Sequence, residues 1–184
     1  MKEVKSLQIP DVKVIWPNIF QDHRGYFLET YNSKAYEQAG IDCNFIQDNQ
    51  SFSEQVSTIR GMHFQIPPFA QAKLVRVLHG AIIDVAFDLR KDSPTRHQWC
   101  SAKITAEEQN QIFVPAGFAH GFITLEPNTV VHYKVDNHYS KEHEQGFIWN
   151  DEDANIDWGS FSGDVAISEK DGVLPILKEL PAYF

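Results

Sequence analysis

The chain has 184 residues and carries 25 Asp and Glu against 16 Lys and Arg, a formal net charge of −9. That balance argues against a nucleic-acid or anionic-membrane surface, where phosphates reward clustered cations, while a few converging basic residues still suffice for one anionic ligand. The length suits one domain with a full core, and 13 Phe, 6 Tyr and 4 Trp lean towards β-structure.

Val12, Val14 and Ile15 predict a strand ending at Trp16-Pro17, and Gln21-Asp22-His23-Arg24-Gly25 a turn into a second strand over residues 26–31. Asn32-Ser33 offers a helix cap, residues 34–39 a short helix and Gly40 its stop. Strands follow over residues 45–51, 56–65, 73–78 and 81–89, the last two expected as a hairpin across His79-Gly80. Further strands are predicted over residues 98–104, 111–114, 120–125 and 129–134. Short strands with turn signals every ~8–12 residues point to an all-β sandwich or barrel. Beyond Tyr139 a polar and aromatic segment is expected to wrap the barrel, with Phe147, Trp149 and Trp158 as packing, residues 168–171 as loop and 174–177 as a short terminal helix. We expect a single domain over 1–184, with a tail segment from about residue 160.

Cys43 and Cys100 lie far apart with no CxxC spacing, so free thiols are expected. The first five residues hold no apolar h-region and no run reaches the ~18 apolar residues of a membrane span, which gives a cytoplasmic protein as the expectation.

Residues 60–80 concentrate unusual cargo for core strands: Arg60, His63, Gln65, Lys73 and Arg76. Downstream, Pro115-Ala116-Gly117-Phe118-Ala119-His120 resembles the second motif of the cupin group, jelly rolls in which a Pro-Gly turn launches a strand with an inward histidine. Metal cupins place two histidines and a glutamate upstream, whereas this chain offers His63, Gln65 and Lys73. An ammonium at a carboxylate's place repels a divalent cation, so no metal is expected. Without a metal, an imidazole beside an ammonium suits proton abstraction next to a carbonyl, the lysine holding the enolate oxyanion and a buried Asp or Glu steadying the imidazolium.

Ten stretches in order then resemble the dTDP-4-dehydrorhamnose 3,5-epimerase (RmlC) family. Among them are Arg24-Gly25-Tyr26-Phe27-Leu28-Glu29, Gln47-Asp48-Asn49, Arg60-Gly61-Met62-His63-Phe64-Gln65, Tyr133-Lys134 and Ser168-Glu169-Lys170-Asp171. The resemblance implies a cupin-like jelly-roll β-sandwich with short peripheral helices. It also implies epimerisation at C3 and C5 of dTDP-4-dehydro-6-deoxy-D-glucose for surface-polysaccharide assembly, no cofactor and a homodimer. By the same resemblance His63 is the base, Asp171 its paired carboxylate, Tyr133 the acid on the opposite face and Lys73 the enolate clamp. Arg24, Glu29, Asp48, Asn49, Gln50, Arg60, His120, Glu144 and Lys170 fall at nucleotide-sugar contacts, and Tyr139 at the aromatic that stacks on thymine. The chain departs from the family's pattern at Gln50, where histidine is frequent, and at Asp136 and His138, where Thr and Tyr are. Epimerisation at C3 or C5 alone, a metal-dependent cupin oxygenase and a non-catalytic nucleotide-sugar module stand as the alternatives.

Overall fold

Short runs rich in β-branched and aromatic residues make nearly every element here a strand, and the computed structural model, which describes residues 1–161 and 164–184, arranges them in antiparallel pairs. In chain order they are β1 (Glu3–Ser6), β2 (Lys13–Trp16), β3 (Ile19–Asp22), β4 (Gly25–Leu28), helix α1 (Ser33–Gln38), β5 (Gln47–Ser53), β6 (Ile59–Gln65), β7 (Lys73–His79) and β8 (Ala81–Asp88). Then follow β9 (Trp99–Thr105), β10 (Gln111–Val114), β11 (Phe118–Thr124), β12 (Thr129–Val135), β13 (Glu144–Gly146) and the one-turn helix α2 (Glu169–Gly172). One sheet runs β1-β2-β10-β7-β12-β5, the second β13-β6-β11-β8-β9, and β3-β4 form a separate ribbon. The two large sheets make the expected jelly-roll sandwich.

Side-chain alternation sorts the apolar residues into three cores. Between the sheets lie Val75, Val77, Ile82, Ala86, Ile112 and Val131. The outer face of the five-stranded sheet presents Met62, Phe64, Val85 and Phe87, which the C-terminal segment covers with Phe147 and Trp158. Outside the six-stranded sheet, Ile15, Leu74 and Phe113 pack under Tyr36 of α1 and Ile41. β8 is therefore buried on both faces, which is why it reads as a continuous apolar run broken by Asp84 and Asp88.

Several expectations are corrected. Residues 73–78 and 81–89 do not pair as a hairpin: β7 bonds β10 and β12, while β8 bonds β11 and β9 in the other sheet. Gly80, at φ +82 and packed on Thr129, turns the chain across the sandwich instead. The second strand ends at Leu28 because the Thr30 carbonyl accepts from Gln111 Nε2 and Tyr36 Oη rather than from a ladder. Residues 168–171 are not loop but the start of α2, whose Asp171 N–H donates to the capping Ser168 Oγ at 3.1 Å. The terminal helix is a 3-10 turn displaced to Leu177–Glu179, since Pro175 disfavours helix at Leu174. Of the expected tail, residues 162 and 163 lie outside the described residues.

Candidate active site

Between the sheets, at one end of the sandwich, a cavity of about 470 Å³ opens beside a second of about 260 Å³, and both share His63, Lys73 and Tyr133 as lining. Strand parity explains most of the wall. From the six-stranded sheet Lys73, Tyr133 and Ser51 face inward, each two residues from the next inward position; from the five-stranded sheet come His63, His120 and Phe122.

Parity alone would send Arg60 to the opposite face from His63, yet both line the cavity. The cause is a β-bulge. His120 pairs His63 and Phe122 pairs Arg60, so two steps on β11 oppose three on β6, and the extra residue reverses the phase. Met62 and Phe64 stay in the outer core while Arg60 swings inward. Gly61 makes this possible: its φ is +124, and a Cβ there would meet the Gly121 Cα at 2.6 Å. Arg60 is held by hydrogen bonds from Nη2 to the Phe52 carbonyl (2.8 Å) and from Nε to Ser53 Oγ (3.2 Å).

His63 and Asp171, 108 residues apart, meet through Nε2 and Oδ1 at 2.8 Å. The C-terminal segment reaches β6 by a bridge in which Ile59 N–H donates to the Ala166 carbonyl and Ala166 N–H to the Ser57 carbonyl. Asp171 is buried, which pushes its carboxyl up, but the hydrogen bonds from His63, the Gly61 N–H and Ser168 outweigh burial and hold it below the ordinary range. With the carboxylate accepting from Nε2–H, the lone pair of a neutral His63 is left on Nδ1. Burial lowers the Lys73 ammonium to about 8, although Asp84 and Glu144 favour its charged form. Burial also pushes the Tyr133 phenol up, keeping it protonated at neutral pH.

The adjoining cavity adds Gln47, Asn49, Gln65, Gln71, Tyr139 and Glu144. Glu144 ties its rim together, accepting from Tyr139 Oη at 2.8 Å and pairing with Lys170 Nζ at 2.7 Å.

Of the residues expected at the site, His63, Lys73, Tyr133, Asp171, Arg60, His120 and Lys170 line the larger cavity, and Asn49, Tyr139 and Glu144 the smaller. Four are elsewhere. Asp48 and Gln50 lie on the outer face of β5, where Asp48 pairs with Lys134 at 2.8 Å, because β5 presents Gln47, Asn49 and Ser51 inward. Arg24 stands on the β3-β4 ribbon, its side chain 79% exposed and bonded to Asp22, and Glu29 lies beyond the ribbon near Asn32. Missed by sequence reasoning were Gln47 and Ser51, which the spacing from Asn49 signals, and Asp84, the buried partner of His120. Among the described residues no group of three or more His, Cys, Asp or Glu converges as a metal site, and no helix is long and apolar enough to cross a membrane.

A sequence profile described as dTDP-4-dehydrorhamnose 3,5-epimerase matches residues 6–179. The chain belongs to this family. The curated dTDP-4-dehydrorhamnose 3,5-epimerase of Sinorhizobium fredii is 48% identical over 98% of this chain and 92% of its own, and that of Salmonella typhimurium is 44% identical over 97% of each. The Bacillus anthracis enzyme, solved with TDP and PPi bound, superposes with a TM-score of 0.91 at 47% identity, covering 95% of this chain and 99% of its own. The Legionella pneumophila enzyme, solved with dTDP-4-keto-L-rhamnose, gives 0.92 at 38% identity, covering 98% and 95%. A 3′-monoepimerase from Streptomyces bikiniensis also superposes, at 29% identity and a TM-score of 0.86 over 94% of this chain and 87% of its own.

Proposed function

We propose that this chain epimerises dTDP-4-dehydro-6-deoxy-D-glucose at C3 and C5, giving dTDP-4-dehydro-L-rhamnose, and that it does so without a metal. The observation that carries the reading is the facing of the His63–Asp171 pair and Tyr133 from opposite sheets across one cavity that also holds Lys73. The C3 and C5 protons are both adjacent to the C4 ketone, so one set of groups serves both carbons. His63 removes the carbon-bound proton, the C–H electron pair moves to make an enolate at O4, and Lys73 offers its ammonium to that oxygen. Asp171 stabilises the imidazolium. When the enolate collapses, carbon takes the Tyr133 phenolic proton from the other face, and inversion results; solvent then reprotonates tyrosinate and accepts the imidazolium proton. Arg60, close to Ser51 and Ser53 at the cavity, is suited to the diphosphate, and Asn49, Tyr139, Glu144 and Lys170 to the nucleoside end.

The reading includes a homodimer. The β3-β4 ribbon exposes Phe20, Tyr26 and Phe27 at 60%, 57% and 66%, an apolar surface unusual for a hairpin that packs in neither sheet. A second copy covering it accounts for Arg24 and Glu29, placed by resemblance among the nucleotide-sugar contacts yet outside this chain's own cavity. Identities of 48% and 44% to curated 3,5-epimerases, against 29% to the 3′-monoepimerase, favour action at both carbons over one.

The test is proton NMR of the substrate in deuterated water. Loss of both the C3 and C5 proton signals is expected with the native chain and none with His63→Ala; exchange that survives this change would sink the assignment of the base, and exchange at a single carbon would replace the 3,5 reading by a monoepimerase.

A further inference from the structure

Asp84 is fully buried in the middle of β8, a strand that otherwise serves two apolar cores. A carboxylate in that position is costly unless its oxygens are satisfied. Both are: Oδ1 and Oδ2 lie 2.9 and 2.8 Å from Nε2 of His120 on the neighbouring β11. His120 is itself 7% exposed, lines the cavity, and sits directly opposite His63 in the β11–β6 register. The fold thus holds two His–Asp pairs side by side, with both histidines and Asp84 on one sheet and Asp171 on α2, and the proposed proton transfer uses only the His63–Asp171 pair.

We propose that Asp84 is a positioning residue for the reaction: by accepting from Nε2–H it fixes His120 in the tautomer whose Nδ1 lone pair faces the cavity, where it accepts a hydrogen bond from a hydroxyl of the sugar ring. Three observations support this. The Nε2 hydrogen bonds occupy one ring nitrogen, and since no buried side-chain nitrogen or oxygen among the described residues lacks a partner, Nδ1, which Asp84 does not reach, is left to open on the cavity. Burial, reinforced by the nearby charges of Lys73 and His63, lowers His120 against the pull of Asp84, so the imidazole is neutral and one nitrogen is an acceptor. Of the other polar groups around the reacting end, Lys73 and Arg60 are donors only, the proposed mechanism commits the Nδ1 lone pair of His63 to the carbon-bound proton, and Asp171 is engaged by His63 and the Gly61 N–H, so His120 supplies an uncommitted acceptor for a sugar hydroxyl beside the ketone. The assignment of a sugar ligand rests on the epimerase reading given above.

The experiment has two arms. Long-range proton–nitrogen NMR on the native chain labelled with ¹⁵N-histidine, at pH 7, is expected to show His120 protonated at Nε2 and bare at Nδ1. An Nδ1–H tautomer or a doubly protonated ring would overturn the proposal, and this arm needs no variant to fold and no turnover, so its failure is seen apart from failure of the epimerase reading. In the second arm Asp84→Asn is expected to slow deuterium exchange by about 10–100-fold, the usual effect of losing a carboxylate behind a working histidine, while binding of dTDP, which lacks the sugar, is unchanged. In a His120→Ala background, read at pH 6 so that Lys73 stays charged when the support of Asp84 is lost, the same change is expected to add little. A full further loss there, or dTDP binding weakened in step with exchange, would show that Asp84 acts through general packing and not through His120.

Discussion

Lys73 carries the most exposed test of the mechanism, because its protonation state should be visible in the rate. Burial brings its ammonium down to about 8, with Asp84 and Glu144 resisting. In the proposed mechanism the charged form is the competent one; it is present below that pH and lost above it. The rate constant kcat/KM, which reports the free enzyme, is therefore expected to fall as pH rises through about 8. Glu144→Gln removes a charge that favours the ammonium, so the alkaline limb should move to lower pH. Lys73→Ala should lower kcat by ~10²–10³, the scale of losing one oxyanion donor; an alkaline limb that persists unchanged in that variant would assign it to another group. The sequence made Lys73 legible because it stands where a metal cupin needs a carboxylate. Asp48 and Gln50 were misplaced for a physical reason: the motif Gln47-Asp48-Asn49 does reach the cavity, but only the pairing of Asn49 with Tyr133 decides which alternate residues turn inward. Asp84 was hidden in a different way, since its partner lies 36 positions away on a strand that becomes its neighbour only in the folded sheet.

At the scale of elements, the bulge in β6 does what no regular strand could, placing Arg60 and His63 on one face. Gly61→Ala forces a side chain into a backbone at φ +124 and against the Gly121 Cα. The backbone strain alone costs about 1–3 kcal/mol, and relief by returning the strand to regular pairing would turn Arg60 out of the cavity. A lowered melting temperature together with a raised KM is expected, and a variant that melts lower but keeps KM would separate the bulge from substrate binding. Motif matches do not distinguish such roles. Asp88, in the stretch from Asp84 to Arg90, is pushed up by burial but held near about 2 by hydrogen bonds from Arg90, Ser93 and Thr95, and so pins a turn. Asp151 likewise accepts from the N–H groups of Ala154 and Leu177, anchoring the segment that delivers Asp171. Strand positions were readable from alternation, but the failed hairpin at Gly80 shows the limit: a turn signal says that the chain reverses, not which sheet it enters.

The molecule as a whole leaves one discrepancy within a single chain: Arg24 and Glu29, which the resemblance implies are substrate contacts, sit on and beside a ribbon that lines neither shared cavity. If the ribbon of one copy reaches the site of another, a working site is built from His63 of one subunit and Arg24 of its partner, and complementation follows from that arithmetic. Arg24→Ala alone should raise KM, and His63→Ala alone should abolish exchange. Mixed, unfolded and refolded together, the two variants form heterodimers in which one site joins the intact His63 to the intact Arg24, while the other site lacks both. Activity at low substrate concentration is then expected to exceed the sum of the separate variants. No gain on mixing would mean that Arg24 does not act across subunits. The same geometry predicts that Phe20→Glu with Phe27→Glu, which places charges on the exposed aromatic face, yields a monomer by light scattering and raises KM as Arg24→Ala does, since losing the partner removes its ribbon from the site.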